Sequence, residues 1–225
     1  MHIWAPSQAT SKKRPTIVRV PRTIEIARTF LKEHGPSKPP VDTYAILRNL
    51  SEVVEIELED EGAEDARTVA HPGGYVTVLN VSRNIYRIRF TCGHETAHIV
   101  LDHFEEFDVD SLTEPERRIL DREADIFARE ILMPEDWVRE YANPPCSAQQ
   151  LGKLKGLFGV SWDALLRRLD ELGLQSESVS RIYLREYAIL KSFDLPLHML
   201  PQNPLVRLAS TSYLIPTPTA GCRPR

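Results

Sequence analysis

Residues 90–103 read FTCGHETAHIVLDH, and the pentad His94-Glu95-Thr96-Ala97-His98 constrains the chain more than any other stretch. A helical residue turns about 100°, so His94 and His98 fall about 40° apart, one turn along a single face. Two imidazoles so placed can reach one metal ion. Glu95 falls about 100° round from His94. That puts it beside the ion rather than on it, where a carboxylate can take a proton from water activated by the metal. Phe90, Ala97, Leu101 and Phe104 share the stripe with the two histidines. Buried imidazoles need polar partners. A pair at i, i+4 with Glu between them fits a metal site better than two separately satisfied core histidines.

A structural zinc takes four protein ligands, whereas a catalytic zinc takes three and keeps one position open. The longer pattern, with a Gly and a third His downstream, fails here because Leu101 and Phe104 stand at those places. His103 points about 140° from His98 on a continuing helix, and is no ligand unless the helix breaks. Asp102 is closer in direction but too near in sequence to complete an unstrained tetrahedron. A second helix offers a better candidate. Thr113-Glu114-Pro115-Glu116 reads as a capping box with Pro in the first turn, and the helix behind it runs to Met133 and stops at Pro134. Ile119, Glu123, Phe127 and Ile131 follow one another every fourth residue, so Glu123 is a carboxylate inside an apolar stripe. Burying it unpaired is costly. It must be ion-paired, hydrogen-bonded or on a metal, and the incomplete two-histidine site upstream favours the metal. The expected set is therefore Zn2+ on His94, His98 and Glu123, with Glu95 as general base.

The rest of the chain supplies a frame. Residues 1–21 read as a loose basic arm, with Lys12, Lys13, Arg14 and Arg19 among Ser, Thr and Pro. Thr23 can cap a first helix that Gly35-Pro36 ends, and Asp42 a second. Residues 53–58 and 75–81 alternate as strands, separated by an acidic loop at 59–65 and a turn at 71–74. Ser147 and Ser161 cap two helices joined by Gly159-Val160. Val179, Ile182, Tyr183, Tyr187 and Leu190 suggest one more helix, before a tail broken by six prolines from Pro196 onward. The boundaries read as an arm at 1–21, a metallopeptidase-like domain at 22–142, a helical pair at 143–174 packed on it, and a helix with a Pro-rich tail at 175–225. The fold class is α+β: a mainly helical, zincin-like domain of the gluzincin type with a small β-sheet, followed by a helical region.

Charge and composition narrow the function classes. Net charge is −4, so no overall basic field argues for nucleic acid. The 147–174 pair has a helix-turn-helix outline but a net charge of only +1, from Lys153, Lys155, Arg167 and Arg168 against Asp163, Asp170 and Glu171. No apolar run approaches the ~20 residues of a membrane span, and the first residues lack the apolar core of a signal peptide. Three scattered cysteines, Cys92, Cys146 and Cys222, offer no disulfide framework and suit a reducing cytoplasm.

Three ordered segments resemble one known family. Arg89 to His98, Glu123 to Pro134 and Phe158 to Leu169 are similar to the three signature segments of the ImmA/IrrE-type zinc metallo-endopeptidases, over roughly residues 40–174. The resemblance implies a cytoplasmic bacterial zinc protease of a mobile element or stress response, cleaving a helix-turn-helix repressor. It implies His94, His98 and Glu123 as ligands and Glu95 as base. Asp125 stands where the family usually has Asn, and Ala97 where it usually has Gly. The competing class is a catalytically silent regulator that keeps the zinc fold but acts by binding protein or DNA. An intact Glu95 weighs against it, since a pure binder has no need of that carboxylate.

Overall fold

The computed structural model of the protein describes residues 12–60, 62 and 64–186, with side chains described through residue 181. Its organising pair is α3 (Ile85–Val100), which carries the histidine pentad, and α5 (Glu114–Leu132). Asn84 caps α3 by accepting a hydrogen bond from the Arg87 amide. Thr113 and Glu116 close the expected capping box on α5. The two helices run antiparallel and approach closely at Gly93, where a Cβ would come within 3.2 Å of the Ala128 Cβ. Ala97 is fully buried, so the methyl that replaces the family's usual Gly is accommodated in the core.

α1 (Val20–His34) lies over α5, burying Ala27, Phe30 and Leu31 against Ala124, Phe127 and Ile131. It starts three residues before the expected cap. Pro21 fits its first turn, and the Thr23 hydroxyl donates to the Arg19 carbonyl from inside the helix instead of capping it. α2 (Thr43–Arg48) is capped by Asp42 as expected.

The sheet is mixed and three-stranded. β1 (Val53–Glu59) pairs parallel with β3 (Gly74–Asn80), and β2 (Ala66–His71) pairs antiparallel with the other side of β3. The order is β1-β3-β2. β3 is therefore central, with no free edge. It packs on α3 through Leu79 against Ile85, Ile88 and Cys92. β2 was not expected. Its side chains are mostly exposed, so it lacks the apolar alternation that marks a strand in sequence.

After α3 the chain turns through Asp102, which is left-handed at φ 58°, into the single turn α4 (His103–Glu106). Asp tolerates this conformation better than most non-Gly residues. α6 (Glu135–Tyr141), α7 (Ala148–Phe158), α8 (Trp162–Glu171) and α9 (Glu177–Glu186) complete the described fold. Ser147 and Ser161 cap α7 and α8 as expected. One apolar cluster joins Leu132, Met133 and Val138 of the α5–α6 region to Leu151, Phe158, Leu165 and Leu169. The molecule is thus α+β and mainly helical. Tyr187, Leu190, the Pro-rich tail, Cys222 and residues 1–11 lie outside the described residues. Among the described residues, no helix is long and apolar enough to cross a membrane.

A buried charge network ties the helical pair to the rest. Glu130 on α5 pairs with Arg168 on α8 and Arg28 on α1, while Arg168 also donates to the Met133 carbonyl. Removing one partner of a buried pair leaves the other charge uncompensated, at a cost of about 3–5 kcal/mol. Arg168→Ala is therefore expected to lower stability in denaturant melts by about that amount, with Glu130→Ala comparable. A loss below ~1 kcal/mol in both would show that the network is incidental to docking.

Residues 12–19, expected to form a loose arm, run beside α4 and α5. The Lys13 amide donates to the Glu106 carbonyl in an isolated parallel bridge with Phe107. Arg14 pairs with Glu116, and Arg19 with Glu106 and Glu123.

Candidate metal centre

His94 and His98 face the same point from successive turns of α3, their Nε2 atoms 3.1 Å apart. Asp121, on α5, approaches from the facing helix, with Oδ1 3.8 Å from His98 Nε2. One donor atom from each of these three residues lies within 4.8 Å of the others, so the group can hold a metal ion. Tetrahedral zinc with bonds of ~2.0–2.1 Å to nitrogen separates two such nitrogens by about 3.3 Å, close to what the imidazoles present.

Each imidazole is held by its other nitrogen. His94 Nδ1 lies 2.9 Å from Asp125 Oδ1, and His98 Nδ1 lies 3.0 Å from His103 Nδ1. Metal-ligating histidines are commonly oriented this way. Burial pulls the His94 imidazolium down, but the Asp125 hydrogen bond and the surrounding carboxylates outweigh it and raise the group above its ordinary value. His98 is held well below its ordinary value by burial and by His94 and His103. It therefore stays neutral and keeps a lone pair for the shared point. Two nitrogen lone pairs aimed at one another at this distance repel unless a proton or cation lies between them. The donor set thus fits a bound metal.

Glu95 is buried beside this group, and its Oε2 accepts a hydrogen bond from Thr68 Oγ1 at 2.6 Å. Burial pushes its carboxyl above the ordinary value, toward the range where a carboxylate is an effective base near neutral pH. Thr68 belongs to β2, so the strand invisible in the sequence supplies the partner of the candidate base. β2 is also the edge strand nearest the site. Both sides of β3 are already paired, so an extended peptide could add to β2 but not to β3.

A cleft of about 970 Å³ opens on the site, bounded by His94, Glu95, Asp121 and Asp125 on one side and by Ser161 and Arg167 of the helical pair on another. Tyr86 and Arg87 line it, Arg87 engaged with Asp65. Arg89, two residues further along α3, is instead buried and donates to the carbonyls of Val41 and Phe158. It fastens α3 to its neighbours and does not reach the cleft.

Glu123 does not join the histidine pair. Its carboxylate is buried on the other side of His103, accepting from Arg19 and lying 3.1 Å from His103 Nε2. Of the alternatives open from sequence, the ion pair is the one the geometry realises. Burial alone would raise the Glu123 carboxyl, but donors from His103 and Arg19 outweigh it and hold the pKa at about 2. A depressed folded-state value means stability that is fully present above the ordinary 4.5 and lost as pH falls through 2. In metal-free protein, Glu123→Gln is expected to remove a contribution on the order of 3 kcal/mol at pH 6, and to lose less than wild type between pH 5 and 2. Urea melts across that range check it: parallel acid slopes for the two proteins would show that Glu123 is not the group responsible.

Asp121 was not singled out from sequence, and Asp125 was noted only as a departure from a family pattern. The signal was present. Two carboxylates at i, i+4 share a helix face, as the two histidines do. Glu123, two residues from each, faces about 200° away from both.

Residues 51–170 match the family model Peptidase_M78, described as IrrE N-terminal-like domain. The chain belongs to the Peptidase_M78 family. The matched Peptidase_M78 segment contains Thr68, His94, Glu95, His98, His103, Asp121 and Asp125, and extends into α8 as far as Asp170. A solved structure of a Mycobacterium tuberculosis transcriptional regulator is similar at 17% identity and a TM-score of 0.48, covering 66% of this chain and 46% of that one. The present chain thus spans less than half of that protein. No curated protein matches.

Proposed function

We propose that this Peptidase_M78 chain is a zinc-dependent endopeptidase with His94, His98 and Asp121 as metal ligands and Glu95 as general base. The observation that carries the reading is the convergence of two imidazole Nε2 atoms and the Asp121 carboxylate on one point beside the buried Glu95. His94, His98 and Asp121 would hold the metal, whose chemistry there would be to polarise the scissile carbonyl and acidify water. Glu95, buried beside that point, would take a proton from water and return it to the leaving amine. Thr68 holds one Glu95 oxygen and so fixes the direction in which the other is presented. Asp125 and His103 hold the two imidazole rings in place.

The cleft supports a polypeptide substrate. It is long enough to run from the start of β2 to the start of α8, and among the described residues β2 has one unpaired edge to offer an extended segment. Following the resemblance, the substrate is proposed to be a helix-turn-helix repressor. α8 forms part of the cleft wall, and the α7–α8 pair is not taken for a DNA reader, because Arg168 is spent on Glu130 and Lys155 is buried over the Tyr86 ring.

Metal analysis of the purified chain, joined to cleavage of a co-expressed repressor with and without chelator, tests the proposal. About one zinc per chain and chelator-sensitive cleavage are expected. A chain that holds zinc but leaves every candidate repressor intact would favour a regulator that docks without cutting.

A further inference from the structure

The break after α3 gives His103 a position that a continuous helix would deny it. With Asp102 left-handed, the chain doubles back and His103 returns to the His98 ring, fully buried. Four groups then follow in one line. His98 Nδ1 meets His103 Nδ1 at 3.0 Å, His103 Nε2 meets Glu123 Oε2 at 3.1 Å, and Arg19 closes the line with Nη2 2.7 Å from that same oxygen. The donors and acceptors along it can be assigned from the far end. Arg19 only donates and the Glu123 carboxylate only accepts, so His103 Nε2 carries its proton toward Glu123. When His103 carries no second proton, its Nδ1 is bare and accepts from His98 Nδ1–H. The His98 Nε2 lone pair is thereby left for the point it shares with His94 and Asp121.

We propose that His103, Glu123 and Arg19 form an outer-sphere relay that fixes the tautomer and ring orientation of His98 and so sets the affinity of the site for zinc. His103 is in this sense a positioning residue, and Glu123 acts through it. The relay also gives residues 12–19 a use, because Arg19 ends that segment and its own backbone amide donates to Glu123 Oε1. His94 is oriented differently, by the half-exposed Asp125, so the two ligands are independently supported. The inference rests on the proposed metal site and adds what tunes it.

The test is zinc affinity of the full chain, measured by competition with a chromophoric chelator, alongside thermal melts of the metal-free protein. Loss of an outer partner of a metal-bound histidine typically costs 10–100-fold in affinity. His103→Leu, which can neither accept from His98 nor donate to Glu123, is expected to raise the zinc Kd by roughly that factor. His103→Gln, whose amide oxygen can accept and whose amide nitrogen can donate, should recover most of it even if its melting temperature matches that of the Leu variant. Should His103→Leu fail to fold, Glu123→Gln carries the same test with an expected loss of roughly tenfold. Nitrogen-15 spectra of the zinc-loaded protein add a direct readout: a protected His98 Nδ1–H in wild type that is lost in the Leu variant. Wild-type zinc affinity in all three variants overturns the relay while leaving the metal site standing. A wild-type chain that takes up no zinc overturns the site itself, and the relay with it.

Discussion

Glu95→Gln is expected to leave zinc content and fold unchanged while lowering peptide cleavage by ~10²–10⁴-fold, the usual contribution of a positioned general base. The substitution keeps the size of the side chain and its bond from Thr68, since an amide oxygen accepts as a carboxylate does. It removes only the ability to take a proton. Because Glu95 is not one of the three residues that converge on the metal point, zinc binding gives an internal control. Cleavage is best measured at equal zinc loading, with downstream gene induction followed in parallel. Equal cleavage by the two proteins would remove Glu95 from the chemistry. Equal induction without cleavage in either would mean that the chain acts by binding.

Asp121→Ala is expected to lose bound zinc altogether during purification, an effect larger than the roughly 10–100-fold cost of losing an outer partner. Glu123→Gln should retain zinc through the same purification. The contrast follows from where the two carboxylates sit. Asp121 is half-exposed at the mouth of the cleft, 3.8 Å from His98 Nε2, whereas Glu123 is buried behind His103 with Arg19 on it. Removing Asp121 takes away one of three donors and is expected to leave the fold intact, because the side chain is more than half exposed. Neutralising Glu123 weakens a buried ion pair and shows first as lost stability. Metal content by atomic spectroscopy after gel filtration decides between them. Zinc retained in Asp121→Ala and lost in Glu123→Gln would return Glu123 to the ligand set and would falsify the assignment made here.

The sequence by itself determined the longer helices, two of the three strands and the geometry of the histidine pentad. The pentad carries its own geometry: 3.6 residues per turn place His94 and His98 on one face and Glu95 beside them wherever the helix lies. The caps at Asp42, Thr113, Ser147 and Ser161 were legible because each is a local bond between a side chain and an amide three residues away. The α+β class followed from the same local periods. Tertiary structure decided what depends on who packs against whom. Asp121 and Asp125 lie on the side of α5 that meets the two histidines of α3, alongside the apolar contact of Gly93 with Ala128 and Ile131, while Glu123 turns toward His103 and Arg19. An apolar stripe announces burial but not the neighbour, so a carboxylate within it could as well meet an arginine as a metal. Arg19 is 104 residues away in sequence, and no local pattern foretells that contact. The left-handed Asp102 that returns His103 to His98, and the solvent-exposed strand that brings Thr68 to Glu95, are likewise fixed by packing and by backbone pairing to distant residues, neither of which leaves a period in the sequence.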